Sequence, residues 1–246
     1  MSASEPVIHI AGLVKQFGGL RPLRLLSLSL GAAERVAITG MDGPSAEVLV
    51  NLVTGATLPD AGAITVFGQA TSATVAADDW LAALDRFGLV SSRAVLVDDL
   101  NLVANIATAF TLSIDPIPDD VLGQVRRLAA EVDLPPSCFD TRLGDLNAAD
   151  RARCHLARAL ASTPRVLLLE HANVLAADHA PAFGRLIAGV ARSRQLPLLA
   201  LTADEEFAGI VAPQVFKLDA ATGRLLSDSR WRRMLSALSR QWPRRE

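Results

Sequence analysis

Lysine is nearly absent from this chain. Lys15 and Lys217 are the only lysines among 246 residues, so the 24 basic residues are almost all arginines. With 26 acidic residues the formal net charge is −2, and the charges are spread along the chain. This distribution excludes the concentrated basic surface of a nucleic-acid-binding protein. It also leaves no lysine at any candidate phosphate site.

Cysteine and long apolar runs are scarce as well. Cys138 and Cys154 are the two cysteines, and no metal-ligand spacing surrounds them, so neither a disulfide framework nor a metal site is expected. No apolar run approaches the ~20 residues that span a membrane. The N-terminus lacks the basic-then-apolar layout of a secretory signal. We therefore expect a cytoplasmic protein.

The N-terminal third reads as a β-rich layer. Half of all residues are hydrophobic, enough for a substantial core. Short β-like runs lie at 7–10, 27–30, 36–39 and 63–66, separated by glycine-containing turns. A helix over 45–53 is predicted directly after the third run, with Gly55 as its C-terminal cap.

The rest of the chain reads as helices followed by alternating strands and helices. Helices are predicted over 80–87, 100–110 and 121–132, which form a helical subdomain at roughly 93–150. Helices over 148–162 and 180–193 then alternate with apolar strands over 166–169 and 196–201. Such strands are typical of a parallel sheet covered on both faces. The predicted fold class is therefore α/β.

The segment after residues 36–39 has the context of a phosphate-binding loop. The pattern G-x-x-x-x-G-K-[ST] cradles phosphates with backbone N–H groups, while its lysine and hydroxyl reach the terminal phosphates and Mg²⁺. Here the second glycine, the lysine and the hydroxyl are replaced by Ser45, Ala46 and Glu47. The candidate loop positions are Gly40, Asp42, Gly43, Ser45, Ala46 and Glu47.

Two further changes in this loop act against phosphate. Pro44 removes one backbone donor. Glu47 is expected in the first helical turn, with its carboxylate on the positive helix terminus where a phosphate would otherwise be stabilised. An ordinary strand–turn–helix with an acidic first turn remains the alternative interpretation.

Several framework segments resemble one family. Residues 153–169 are similar to its stretch RVALARALASDPKVLLL, residues 100–107 to LTVLENVA, and residues 14–19 to the opening whose aromatic ring, here Phe17, stacks on adenine. In this order, over nearly the whole chain, they resemble the ATPase subunit of ATP-binding cassette (ABC) transporters. The resemblance implies a P-loop NTPase-like ABC ATPase domain over 1–246, with an N-terminal β-rich layer, a parallel core sheet and an inserted helical subdomain.

The residues that carry chemistry in this family are replaced here. Its LSGGQ signature aligns with residues 146–150, where Asn147 can still cap a helix and Asp150 adds a negative charge near the expected triphosphate. Its paired carboxylates align with Glu170 and His171, of which Glu170 can still hold a metal and His171 is a weaker general base. Its glutamine aligns with Ser92, and its switch histidine with Ala203.

The sequence thus predicts a degenerate ATP-binding subunit that acts as a structural or regulatory partner of an ABC permease or a second ATPase subunit, in a homo- or heterodimer. Tight cofactor binding is not expected; ATP and Mg²⁺ are implied if the family function is retained. Association with the inner face of the plasma membrane would come through the permease. Slow ATP hydrolysis, or a soluble scaffold on the same fold, are the alternatives. A basic helix with interleaved tryptophans is expected over 229–246.

Overall fold

Two β-sheets and the helices around them make up the part of the chain that the computed structural model describes, residues 5–73 and 77–227. The predicted helix over 229–246 lies outside the described residues. The strands are β1 (Ile8–Lys15), β2 (Leu23–Leu30), β3 (Arg35–Thr39), β4 (Ala61–Val66), β5 (Gln69–Ala70), β6 (Phe87–Ser91), β7 (Val166–Glu170), β8 (Leu198–Leu201), β9 (Gln214–Asp219) and β10 (Arg224–Ser227). The α-helices are α1 (Gly43–Val53), α2 (Ala77–Leu84), α3 (Leu102–Ala107), α4 (Asp119–Glu131), α5 (Ala148–Ala161), α6 (Ala180–Ser193) and α7 (Glu205–Val211).

The smaller sheet is antiparallel and holds the N-terminal strands in the order β2-β1-β4-β5. The larger sheet has the order β10-β9-β3-β8-β7-β6, and all its pairs are parallel except that of β9 with β10. The predicted β-rich layer and parallel core sheet are thus confirmed. Because β3, β8, β7 and β6 are parallel, their carboxyl ends meet at one edge of the sheet.

Strand β7 is buried on both faces. Its residues Leu167 and Leu169 belong to the apolar core under the helices α3 to α7, while Val166 and Leu168 belong to a second core shared with the smaller sheet. A strand with apolar side chains on both faces has no polar alternation, which accounts for its continuous apolar run. The same reasoning applies to β8.

Helix α1 lies in the second core, between the two sheets. Leu49 and Leu52 are almost fully buried there, in one cluster with Ile10 of the smaller sheet and Leu199 of the larger. Apolar contact with both sheets holds the helix along most of its length. The loop that precedes α1 is therefore fixed against the end of β3.

Several elements differ from the sequence-based prediction. The helix expected over 80–87 ends at Leu84, and Phe87 begins β6. Strand β6 was not predicted because Gly88 is unfavourable in a strand. A Cβ atom at Gly88 would lie 2.7 Å from the carbonyl oxygen of Ala159 in α5. The close approach of α5 to β6 therefore requires glycine. Strands β9 and β10 and helix α7 were not predicted.

The helical layer is organised around a buried asparagine. Asn105 of α3 is fully buried; its side chain accepts a hydrogen bond from the Val97 amide at 2.8 Å and donates to the carbonyls of Val97 and Leu100 at 2.9 and 3.1 Å. Asn101 caps α3 by accepting from the Ala104 amide. The Asn105 side chain thus ties the loop between β6 and α3 to the helical layer.

No helix among the described residues is long and apolar enough to cross a membrane.

Replacing Asn105 by alanine is expected to lower the free energy of unfolding by about 2–4 kcal/mol, because several backbone groups of a buried loop lose their partner at once. Asn101→Ala is the matched control, since it removes a single capping bond and should cost about 1 kcal/mol. Urea denaturation of both variants measures the difference. Equal losses would show that Asn105 does not hold the loop.

Candidate functional site

The loop from β3 into α1 is closed by its own acidic residue. Gly40 has a φ of 82°, a left-handed conformation suited to glycine. Asp42 is the N-cap of α1, and its carboxylate accepts a hydrogen bond from the Ser45 amide at 2.9 Å. Hydrogen bonds from the Ser45 side chain and backbone lower the pKa of Asp42. A carboxylate of this chain therefore occupies one of the amides that an incoming anion would use.

Glu47 does not lie at this helix terminus, contrary to the prediction. Helix α1 begins at Gly43, with Pro44 in its first turn, so Glu47 falls in the second turn. Asp42 rather than Glu47 is the acid at the positive end, because the N-cap side chain folds back onto the first amides. The neighbouring Ala46 is fully buried in the core between the sheets.

A guanidinium joins three elements at the carboxyl edge of the larger sheet. Arg93, in the loop after β6, donates through Nε and Nη2 to both carboxylate oxygens of Glu170, over 2.8 to 3.0 Å. Its Nη1 lies 3.4 Å from Glu47 and 3.5 Å from Asn51 of α1. The Arg93 side chain is 35% exposed and that of Glu170 is 7% exposed. This is a bidentate, mostly desolvated ion pair.

Sequence reasoning missed Arg93. It singled out the preceding residue, Ser92, which is exposed, whereas the amide of Arg93 is held by the Ser91 hydroxyl at 3.1 Å. The sequence signal that could have identified it is an arginine next to Ser92, the position that aligns with the family's glutamine. The role of its charge is evident only once Glu170 and Glu47 are known to face it.

His171 follows Glu170 in a left-handed conformation, with a φ of 45°. Its amide donates to the Leu201 carbonyl of β8 at 2.8 Å. Its Nε2 atom is buried and has no hydrogen-bond partner among the described residues. An imidazole nitrogen can accept or donate a hydrogen bond, and this one does neither with the described residues.

A pocket of about 470 Å³ lies over the loop between β3 and α1. It brings together four of the predicted site residues, namely Phe17, Gly40, Asp42 and Ser45. Gly43, Ala46, Glu47, Ser92, Glu170 and His171 are not among its lining residues. Two exposed arginines, Arg21 and Arg24, also line it. The pocket therefore combines one aromatic ring, two cations and a capped helix end.

The negative charge of Asp150 is neutralised within the chain. Asp150 is 6% exposed; its carboxylate accepts from Arg153 at 2.7 Å and from the Asn147 side chain at 2.8 Å. Asn147 caps α5 by accepting from the Asp150 amide, as predicted. The negative charge predicted at this position is therefore compensated by Arg153, because the capping geometry turns the carboxylate toward it.

A second pocket, of about 190 Å³, lies between the loop after β6 and α5. Ala94, Leu96, His155 and Arg158 are among its lining residues. Arg158 donates to the carbonyl of Val95 at 2.6 Å, and the Val95 side chain is 74% exposed. Desolvation by burial, and then the charges of nearby arginines, lower the pKa of His155 to about 4.

The sequence profile of the ABC transporter family matches residues 23–173, more than half of the chain. The chain belongs to the ABC transporter ATP-binding family. The match runs from β2 through the Arg93 loop and Glu170 to Asn173, so it includes all three elements that the guanidinium joins.

Curated relatives of this ABC protein are ATP-binding proteins of import systems. It is 30% identical over 221 residues to the sulfate/thiosulfate import ATP-binding protein CysA 2 of Chromobacterium violaceum, covering 89% of this chain and 58% of that protein. It is 29% identical over 220 residues to the Fe(3+) ions import ATP-binding protein FbpC 2 of Rhodococcus jostii, covering 89% and 60%. The chain thus spans little more than half of these relatives.

Solved ABC structures share its fold. CbiO1 of Clostridium perfringens, part of the cbiONQ transporter complex, superposes with a TM-score of 0.74 at 15% identity over 97% of this chain and 94% of that one. A dimeric ATP-binding cassette in a post-hydrolysis state with ADP and Pi gives 0.71 at 16% identity over 89% and 98%. The predicted family and fold class are confirmed.

Removing the Arg93 side chain from this ABC domain is expected to cost about 1.5–3 kcal/mol of unfolding free energy, because the Glu170 carboxylate is left desolvated without its counter-ion. This range allows for the part of Arg93 that is exposed. In a double-mutant cycle, Arg93→Ala combined with Glu170→Leu should cost less than the sum of the single changes.

The control for this cycle is Arg151→Ala, which breaks the 2.9 Å pair with the exposed Asp98 and should cost about 0–1 kcal/mol. Additive losses from Arg93→Ala and Glu170→Leu would show that the two side chains are not coupled.

His155 should make the ABC domain less stable in acid. The unfolded chain takes up a proton below pH ~6.5, whereas folded His155 stays neutral down to about 4. Stability is therefore complete above pH ~6.5 and falls as the pH drops toward the folded value. Between pH 7 and pH 5 the free energy of unfolding should fall by about 1 kcal/mol less in His155→Gln than in the wild type. Urea denaturation at the two pH values measures this difference. The exposed His179→Gln should follow the wild type.

Proposed function

We propose that this chain is an ATP-binding subunit of an ABC import complex that binds nucleotide weakly and contributes structure or regulation rather than hydrolysis. The observation that carries the proposal is the state of the helix α1 terminus. Asp42 caps it through the Ser45 amide, and the residue at the lysine position of the pattern is the buried Ala46. The terminus thus has an anion of its own and no cation at the lysine position of the pattern.

Phosphoryl transfer depends on positioning and on neutralising charge that develops on the phosphate oxygens. A missing charge-assisted contact is worth about 1.5–3 kcal/mol, or roughly a 10- to 150-fold loss of affinity. The Asp42 carboxylate adds repulsion to that loss. Weak binding follows from both contributions, even though Phe17 and the pocket beside it remain available for a base.

The second pocket supports a permease as the partner. It is a concave surface between the loop after β6 and α5, beside the exposed Val95. Leu112, three residues beyond the pocket-lining Ala109, is 95% exposed. An exposed apolar side chain next to a groove, as Val95 is between the lining residues Ala94 and Leu96, is consistent with an interaction surface. The names of the curated relatives agree with an import complex.

Slow ATP hydrolysis is the second candidate function, and His171 favours it. Its buried Nε2 has no partner among the described residues and directly follows Glu170 in the chain. An imidazole there can act as a general base for water. The two functions differ in how tightly the wild type binds Mg-ATP.

Isothermal titration calorimetry with Mg-ATP tests the proposal. The wild type is expected to bind too weakly for detection at micromolar concentrations. Ala46→Lys combined with Glu47→Ser should gain roughly 10- to 150-fold in affinity, because it restores the cation and the hydroxyl of the phosphate-binding pattern at those two positions. Since Ala46 is buried, circular dichroism must first show that the variant folds.

The matched control is Ala130→Lys with Glu206→Ser, which makes the same charge change at two exposed positions. It should leave binding unchanged. Micromolar binding by the wild type would refute the proposed weak site and favour the slow enzyme. No gain in the folded double variant would show that this loop has lost the shape of a phosphate site.

A further inference from the structure

The surroundings of the Arg93 guanidinium have the composition of a divalent-cation site. Two carboxylates, Glu170 and Glu47, and the amide oxygen of Asn51 face it from two different elements. Carboxylate and amide oxygens are the ligands that Mg²⁺, Ca²⁺ and Mn²⁺ prefer. Glu170 is nearly buried, so its charge requires a positive partner.

The Mg²⁺ ion that the family implies does not fit these residues as they stand. Mg²⁺ takes oxygen ligands at ~2.0–2.1 Å in octahedral geometry. Both oxygens of Glu170 already accept from Arg93, and a divalent ion would lie beside a guanidinium that does not lose its proton. Among the described residues no cluster of three or more His, Cys, Asp or Glu side chains is placed to hold a metal.

We propose that Arg93 is a tethered cation that takes the place of a divalent metal ion in this chain. Its guanidinium compensates Glu170 and connects the end of β7 to α1 through Glu47 and Asn51. The backbone of Arg93 is fixed by the hydroxyl of Ser91 at the end of β6.

Two consequences follow. The connection between α1 and the strand ends is permanent, because it depends on neither metal nor nucleotide. Any nucleotide that enters the pocket over α1 does so without help from a metal held by Glu170, so its affinity should be the same with Mg²⁺ and with EDTA.

The direct test uses Mn²⁺ alone, with the full chain and no nucleotide. Free Mn²⁺ gives an electron paramagnetic resonance signal that is lost on binding, so a titration counts bound ions. The wild type should leave the signal unchanged at millimolar Mn²⁺. Arg93→Ala should bind one Mn²⁺ at least ~10-fold more tightly, because the carboxylates of Glu170 and Glu47 lose their counter-ion.

Two further variants identify the site. Arg93→Lys keeps a positive charge and should exclude Mn²⁺ as the wild type does. Arg93→Ala with Glu170→Gln should lose the gained binding. Arg151→Ala removes a guanidinium paired with Asp98 elsewhere and should gain nothing. Circular dichroism checks that each variant is folded.

Loss of the free Mn²⁺ signal on titration of the wild type at millimolar Mn²⁺ would overturn the inference, and this measurement needs no variant to fold. Failure of folded Arg93→Ala to bind Mn²⁺ would also overturn it, since the guanidinium would then not cover a metal site. Because the titration contains no nucleotide, either failure leaves the proposed weak ATP binding intact.

Discussion

The structure depends on the burial of the larger sheet on both faces. The central residues of strands β3, β8 and β7 are buried and apolar, so these strands must be parallel neighbours with helices on one side and α1 with the smaller sheet on the other. Once they are parallel, their carboxyl ends meet at one edge. Thr39, Glu170 and Ser91 end β3, β7 and β6 at that edge. The polar residues of the site are close together for this reason, although 46 residues separate Arg93 from Glu47 and 77 separate it from Glu170.

At this edge the chain satisfies its charges internally. Asp42 uses an amide of α1, and Arg93 uses the carboxylates of Glu170 and Glu47. An unpaired charge in such a partly desolvated place is costly, and the charged side chains Asp42, Arg93 and Glu170 each have a partner within the chain. Arg153 does the same for Asp150 at the start of α5. The protein thus has an ABC fold whose polar residues serve its own structure.

The elements with strong periodic patterns were predictable. Strand β7 and helix α5 were predicted close to their observed bounds, because the pattern of apolar residues along each segment indicates which of its side chains are buried. Strand β6 was missed because glycine is unfavourable in a strand. Gly88 is required there by the close contact with α5, which the sequence does not show. The position of Glu47 was wrong by one turn, because the start of α1 depends on whether Asp42 or a later residue caps it.

The sequence alone determined the fold class and the family, because each is recorded in local patterns of a few dozen residues. The tertiary structure decided which polar residues meet at the site. Which cation meets Glu170, where the Asp150 charge goes and which acid caps α1 are questions of distance between residues far apart in sequence. The packing of α1 against the larger sheet brings Glu47 and Asn51 to the same Arg93 guanidinium that holds Glu170, over 3.5 Å or less. The spacing of these residues in the sequence does not predict that approach.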